Sequence, residues 1–196
     1  MLLNHCWIRS LTAAAAVSVL AACGDATAAA RPSTFTADVR GATNERITGS
    51  AIASLGGDWM RQNALQVTLP NGATFSGVAL SPSTGAIISF FRSGSDLPVG
   101  TYAVGVSGRD PAFLKGGFSG GYAVRRTDGL QLFLADSGKV TIAETGSRVS
   151  GTFTMYFERY DVLPLPTAAN AGQPLTPLSS GASPMTITGS FDAERR

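Results

Sequence analysis

The chain is predicted to fold as a single all-β domain, an antiparallel sandwich or barrel of about ten short strands. Three observations carry this expectation. Beyond residue 34, apolar and polar residues alternate through most of the chain, the period of a half-buried strand. Turn-forming Gly, Asn, Asp and Pro groups recur at short spacing between the alternating runs. No amphipathic helical stretch of useful length separates those runs, and parallel strands would need such crossovers.

The strands follow in order. Phe35, Ala37 and Val39 share one face, with Thr36, Asp38 and Arg40 opposite. Ile47 to Leu55 is a second run. Leu65, Val67 and Leu69 form a third, closed by the turn Pro70-Asn71-Gly72, and Phe75 to Leu80 returns from it. Ala86 to Phe91 is denser in apolar residues and reads as buried on both sides. Asp96 to Gly100 turns into Thr101 to Val106. Tyr122 to Arg126 and Leu130 to Leu134 bracket the turn Thr127-Asp128-Gly129. Asp136-Ser137-Gly138 leads into Val140 and Ile142, and Thr145-Gly146-Ser147 into Val149 to Phe157. Met185 to Phe191 alternates again.

Three segments break the alternation. Asp58 to Asn63 reads as a loop or single helical turn. Lys115 to Gly121 is glycine-rich and reads as a flexible connection; its lysine precedes the glycines and no helix follows, so the phosphate-loop pattern fails. Residues 161–184 carry Pro164, Pro166, Pro174, Pro177 and Pro184, which oppose helix and sheet alike, and are expected to form a disordered loop. A different regularity joins Ile47-Thr48-Gly49-Ser50-Ala51, Val149-Ser150-Gly151-Thr152-Phe153 and Ile187-Thr188-Gly189-Ser190-Phe191. Glycine inside a strand marks close backbone approach, so these three strands are expected to meet a crowded part of one core.

Upstream of the domain, Arg9 precedes an apolar run from Leu11 to Ala22, which ends in Leu20-Ala21-Ala22-Cys23. A charged segment, a short apolar segment and small residues before a cut make a secretory signal. At about 12 residues the run is too short to span a bilayer as a helix, which takes roughly 20. Leu20-Ala21-Ala22-Cys23 resembles the lipobox of bacterial lipoprotein precursors position for position. That resemblance implies a diacylglyceryl group on the Cys23 sulfur, cleavage before Cys23 and acylation of the new amino terminus. Residues 1–22 would then be the signal peptide, 23–34 the lipidated Cys and tether, and 35–196 the β-domain. Gly24 stands where Asp retains some lipoproteins at the inner membrane, so the resemblance favours the outer membrane, with the domain facing the periplasm or the surface. The alternative is an ordinary signal cut after Ala26-Thr27-Ala28, which would release a soluble protein. The strands ending in Gly151-Thr152-Phe153 and Gly189-Ser190-Phe191 also resemble those of small β-rich bacterial lipoproteins of unknown function, a likeness that implies no catalytic residue.

Composition narrows the function. The net charge is +2, or +1 without Arg9, and no basic stripe appears, so nucleic acid is not an expected partner. Arg125-Arg126 and Arg195-Arg196 read as isolated solvated pairs. His5 is the only histidine, and it would leave with the signal along with Cys6. Without His or a free Cys, the mature chain lacks Ser-His-Asp and Cys-His machinery and the usual zinc and copper ligands. No catalytic residue, metal or cofactor is expected, and the membrane anchor at Cys23 is the one assigned site.

Asp96, Asp110, Asp128 and Asp136 are the carboxylates that glycoside hydrolysis would draw on, but each sits in a turn, where Asp bonds the backbone. Calcium would need several loop oxygens, and no Asp-x-Asp-x-Asp loop occurs. Trp59, Phe90, Phe91, Phe113, Phe118, Tyr156 and Tyr160 could line a sugar or lipid pocket, but aromatics in a β-domain are more often core, which is the expected reading. Trp59 and Tyr160 stand out because they flank irregular segments. The expected function is a non-enzymatic, lipid-anchored binding or structural domain whose protein or glycan partner is unknown. The rivals are a β-barrel carrier of an apolar ligand and a carboxylate-based hydrolase of envelope polysaccharide.

Overall fold

The computed structural model describes residues 31–41, 44–55, 75–105, 116–127, 129–164 and 176–195, and the body they build is the compact unit Pro32–Arg196. It is all-β, with ten strands in one mixed sheet and no helix among the described residues. The strands are β1 (Thr34–Gly41), β2 (Glu45–Leu55), β3 (Phe75–Pro82), β4 (Ala86–Ser93), β5 (Gly100–Gly105), β6 (Phe118–Arg125), β7 (Leu130–Leu134), β8 (Ser137–Glu144), β9 (Arg148–Leu163) and β10 (Ser179–Arg195). The segment containing Leu65 to Leu69 and the Asp58–Asn63 loop lies outside the described residues.

Pairing proceeds from β1 through β2, β3, β4, β6, β5, β8, β9 and β10, and β10 pairs with β1, so the ladder closes on itself. β7 bridges β6 and β9 alongside the β5–β8 pair. Closure leaves few unpaired strand edges, which suits a body without covering helices among the described residues. The sheet is not purely antiparallel as expected. β10 meets β2 in parallel at Glu194↔Ile52 and Arg195↔Ala53, and β5 meets β6 in parallel at Val104↔Phe118 and Gly105↔Ser119. The first contact has a simple cause: β1 runs antiparallel to both neighbours and begins only at Thr34, so β10 and β2 touch beyond that end.

Alternation sets the core. Phe35, Ala37 and Val39 are buried, while Thr36 and Asp38 on the other face are partly exposed. On β4, Ile88 and Phe90 face the core, and Ser89 between them is buried as well, so the dense apolar run is covered on both faces there. The Phe90 ring packs against Phe118 at 5.8 Å, Phe153 at 5.5 Å and Phe191 at 5.2 Å between centroids. A second aromatic group centres on Phe133, which meets Tyr122 at 5.7 Å, Tyr160 at 5.4 Å and Phe157 at 6.2 Å.

The three patterned glycines do meet a crowded core, and each sits opposite a phenylalanine. The register pairs Gly49 with Phe35, Gly151 with Phe191 and Gly189 with Phe153. A Cβ at these glycines would lie 2.8, 3.0 and 2.8 Å from the facing ring. Small residues under large rings let neighbouring strands share one layer of core.

Two segments fold further than expected. Phe118 to Gly121 is the first half of β6 rather than a flexible connection. Gly120 lets the Met155 sulfur, Val104 and Ala135 close over its backbone, so its glycine serves packing and not mobility. In the expected disordered loop, Asp161 to Leu163 extend β9 and Ser179 to Pro184 open β10; residues 165–175 lie outside the described residues. Ser179 to Ala182 pair with Arg159 to Val162, and the register shifts between Ala182 and Met185. Pro184 falls in that irregularity, the position within a sheet where a missing N–H costs least.

Candidate functional site

β1, β9 and β10 lie side by side, and their outward residues form cross-strand rows. Thr101, Thr141, Thr152, Ser190, Thr36 and Thr48 make one row of hydroxyls over six strands, with Thr101 Oγ1 3.0 Å from Thr141 Oγ1. Two residues along, Lys139, Thr154, Thr188, Asp38 and Arg46 make the next. The third row is Ser137, Tyr156, Thr186 and Arg40. Here the surface dips into an open groove of about 390 Å³, lined by Arg40, Gly41, Tyr156, Glu158, Pro184 and Thr186 among others.

The groove follows from local sequence. Tyr156 occupies an outward position of the alternating Thr152-Phe153-Thr154-Met155-Tyr156-Phe157 strand, and its side chain is 48% exposed. The β10 irregularity at Ala182 to Met185 removes regular pairing beside Glu158. Gly41, at φ +131°, brings its backbone against the Pro184 carbonyl, where any Cβ would collide. Arg40 and Glu158 reach the groove from opposite sides as exposed side chains of opposite charge.

The carboxylates singled out from the sequence do not gather here. Asp136 Oδ2 accepts the Glu158 backbone N–H at 2.7 Å, which is turn chemistry. Asp96 is exposed in the loop before β5, and Asp110 and Asp128 lie outside the described residues. Asp161 accepts the Ser180 hydroxyl at 2.5 Å, and Asp192 pairs with Arg148 at 2.6 Å. Among the described residues, no three His, Cys, Asp or Glu side chains converge as a metal would require.

The aromatics sort largely as core, and the one described exception expected from the sequence, Tyr160, does too. Phe90 and Phe118 are core, and Phe91 packs edge-on to Phe75 at 6.1 Å. Tyr160 is not a free platform but packs on Phe133. Tyr156 is the exposed ring among the described residues. Its alternation with Phe153 and Phe157 already put it outside, which was the signal available in the sequence. Trp59, Phe113 and the lipidation candidate Cys23 lie outside the described residues.

A second unusual group is Arg92, which shares the inward parity of Ile88 and Phe90. Its guanidinium lies 4.7 Å over the Tyr102 ring and 5.8 Å from that of Phe118. Nε and Nη1 are shut off from solvent without a hydrogen-bond partner. Burial on both rings makes it a packing element rather than an open site. Burial also raises the pKa of the Tyr122 phenol, with a smaller push from the Glu45 charge. Comparison of the chain with protein-family models, curated proteins and solved structures finds no match.

Proposed function

We propose that this is a lipid-anchored protein of the bacterial envelope whose β body binds a partner rather than catalysing a reaction. The observation that carries the anchor is Leu20-Ala21-Ala22-Cys23, a lipobox-like tetrapeptide that closes the apolar run of a secretory signal. Multiple acyl chains on Cys23 would hold the protein at the membrane, since one chain binds only marginally and stable attachment takes a second signal. Outer-membrane residence is the corresponding proposal for its address, by the Gly24 that follows.

Binding is supported by the outer face of β1, β9 and β10, where an exposed aromatic, two exposed charges of opposite sign and rows of hydroxyls adjoin. The apolar-carrier alternative needs an empty interior, and the rings stacked around Phe90 at 5.2 to 5.8 Å occupy that part of the core. The hydrolase alternative needs two free acids facing each other roughly 5 to 10 Å apart. Of the sequence candidates among the described residues, Asp136 is committed to the Glu158 backbone N–H and Asp96 stands exposed in the loop before β5. Fractionation of cells producing the native chain and Cys23→Ser tests the anchor. The native chain belongs with the membranes and the variant with the soluble fraction; equal solubility of both would overturn it.

A further inference from the structure

We infer that the groove on β1, β9 and β10 is a binding site for a neutral sugar ring, stacked on Tyr156. This deepens the binding role proposed above and rests on it. A pyranose presents an apolar C–H face and a rim of hydroxyls, each both donor and acceptor. Tyr156 supplies an exposed aromatic face, with the exposed Pro184 beside it as further apolar surface. Arg40 supplies only donors, Glu158 only acceptors, and the Thr186 hydroxyl both. That mixture matches a polyol better than an ion.

Arg40 and Glu158 are the charged residues of the lining and are of opposite sign, so the lining itself favours neither a carboxylate nor an ammonium group. Neither side chain takes part in an ion pair among the described residues, so both are available to a ligand. The volume of about 390 Å³ lies at the lower end of small-molecule sites, and the groove is open rather than enclosed. An open groove suits one unit of a longer chain, whose neighbouring units would lie over the hydroxyl rows of Thr154 and Thr188, and of Thr152 and Ser190.

The site is also built, not incidental. Gly41 at positive φ and the register break before Met185 are both local departures from regular sheet, and both border the groove. Bulges of this kind re-aim side chains beside sites. Here the departure separates Glu158 from the regular ladder while Thr186 and Arg40 remain in register with Tyr156.

The test is an array of neutral hexose and N-acetylhexosamine oligosaccharides, with uronic-acid oligosaccharides alongside, probed with the full chain as cells produce it. Expected is retention of at least one neutral oligosaccharide, with affinity falling about tenfold or more in Tyr156→Ala and persisting in Tyr156→Phe. Arg40→Ala and Glu158→Ala should each weaken binding several-fold, and Val99→Ala, at an exposed residue outside the groove, should leave it unchanged. A silent neutral array, or binding only of the acidic oligosaccharides, overturns the inference. Neutral-sugar binding unchanged in Tyr156→Ala would keep a binding protein but overturn this site. None of these outcomes depends on Cys23, so failure here and failure of the anchor are read separately.

Discussion

Gly151 on β9 lies directly opposite Phe191 on β10, and the ring's Cζ sits 3.0 Å from where a Cβ on residue 151 would be. The Thr141 carbonyl closes on the same point from β8. Gly151→Ala should therefore destabilise the fold by about 1 to 3 kcal/mol through overpacking. Phe191→Ala should cost about 3 to 5 kcal/mol by emptying the core. Urea unfolding of both variants measures this. Gly151→Ala at native stability would show that the ring and carbonyl give way freely.

Arg92→Met is expected to raise stability. The substitution removes two buried donors without partners, each costing about 1 to 3 kcal/mol. It also loses stacking on Tyr102 and Phe118, of about 0.5 to 2 kcal/mol. A net gain of about 1 kcal/mol should move the melting temperature up by roughly 2 to 4 °C in a domain of this size. A lower melting temperature would mean that the guanidinium stabilises the fold as it stands.

Tyr122 gives an alkaline signature. Burial, then the Glu45 charge, raises its pKa above the ordinary 10.0, so the folded state holds the phenolic proton longer than the unfolded chain. The stability this contributes is fully present below pH 10 and is lost as pH rises through the higher folded value. Absorbance titration should show one of the four tyrosines ionising late, and Tyr122→Phe should remove that late step. The late step surviving in Tyr122→Phe would assign it to another tyrosine.

The Arg148 Nε–Asp192 Oδ1 pair, at 2.6 Å, joins the start of β9 to the end of β10, and Arg148 Nη2 also donates to the Pro32 carbonyl at 3.2 Å. Both side chains are partly solvated, so Asp192→Asn should cost no more than about 1 kcal/mol. The loss should shrink in 1 M salt, where screening acts within about 3 Å. A cost independent of salt would point to hydrogen bonding alone.

The all-β class was legible because period-two alternation is strong in β1, β8, β9 and β10, where one face is buried and the other wet. Closure of the ladder was not, since no local pattern states that β1 pairs with β10. The flexible reading of Lys115 to Gly121 failed for a physical reason: glycine signals both freedom and close packing, and only the Met155 and Val104 contacts decide between them at Gly120. The proline content of 161–184 hid strand residues at both ends, because Pro184 sits at a register break that tolerates it. The groove was half legible. Alternation placed Tyr156 outside, but bringing Arg40, Glu158 and Pro184 to it required the pairing of β9 with β10 and of β10 with the distant β1.

The most direct measurement is the intact mass of the protein purified from bacterial membranes, beside Cys23→Ser. A lipid-anchored protein yields a chain beginning at Cys23 with added acyl mass, and the variant lacks that mass. A soluble chain beginning near Ala29, identical in both, would contradict the anchor and leave a free secreted or periplasmic protein.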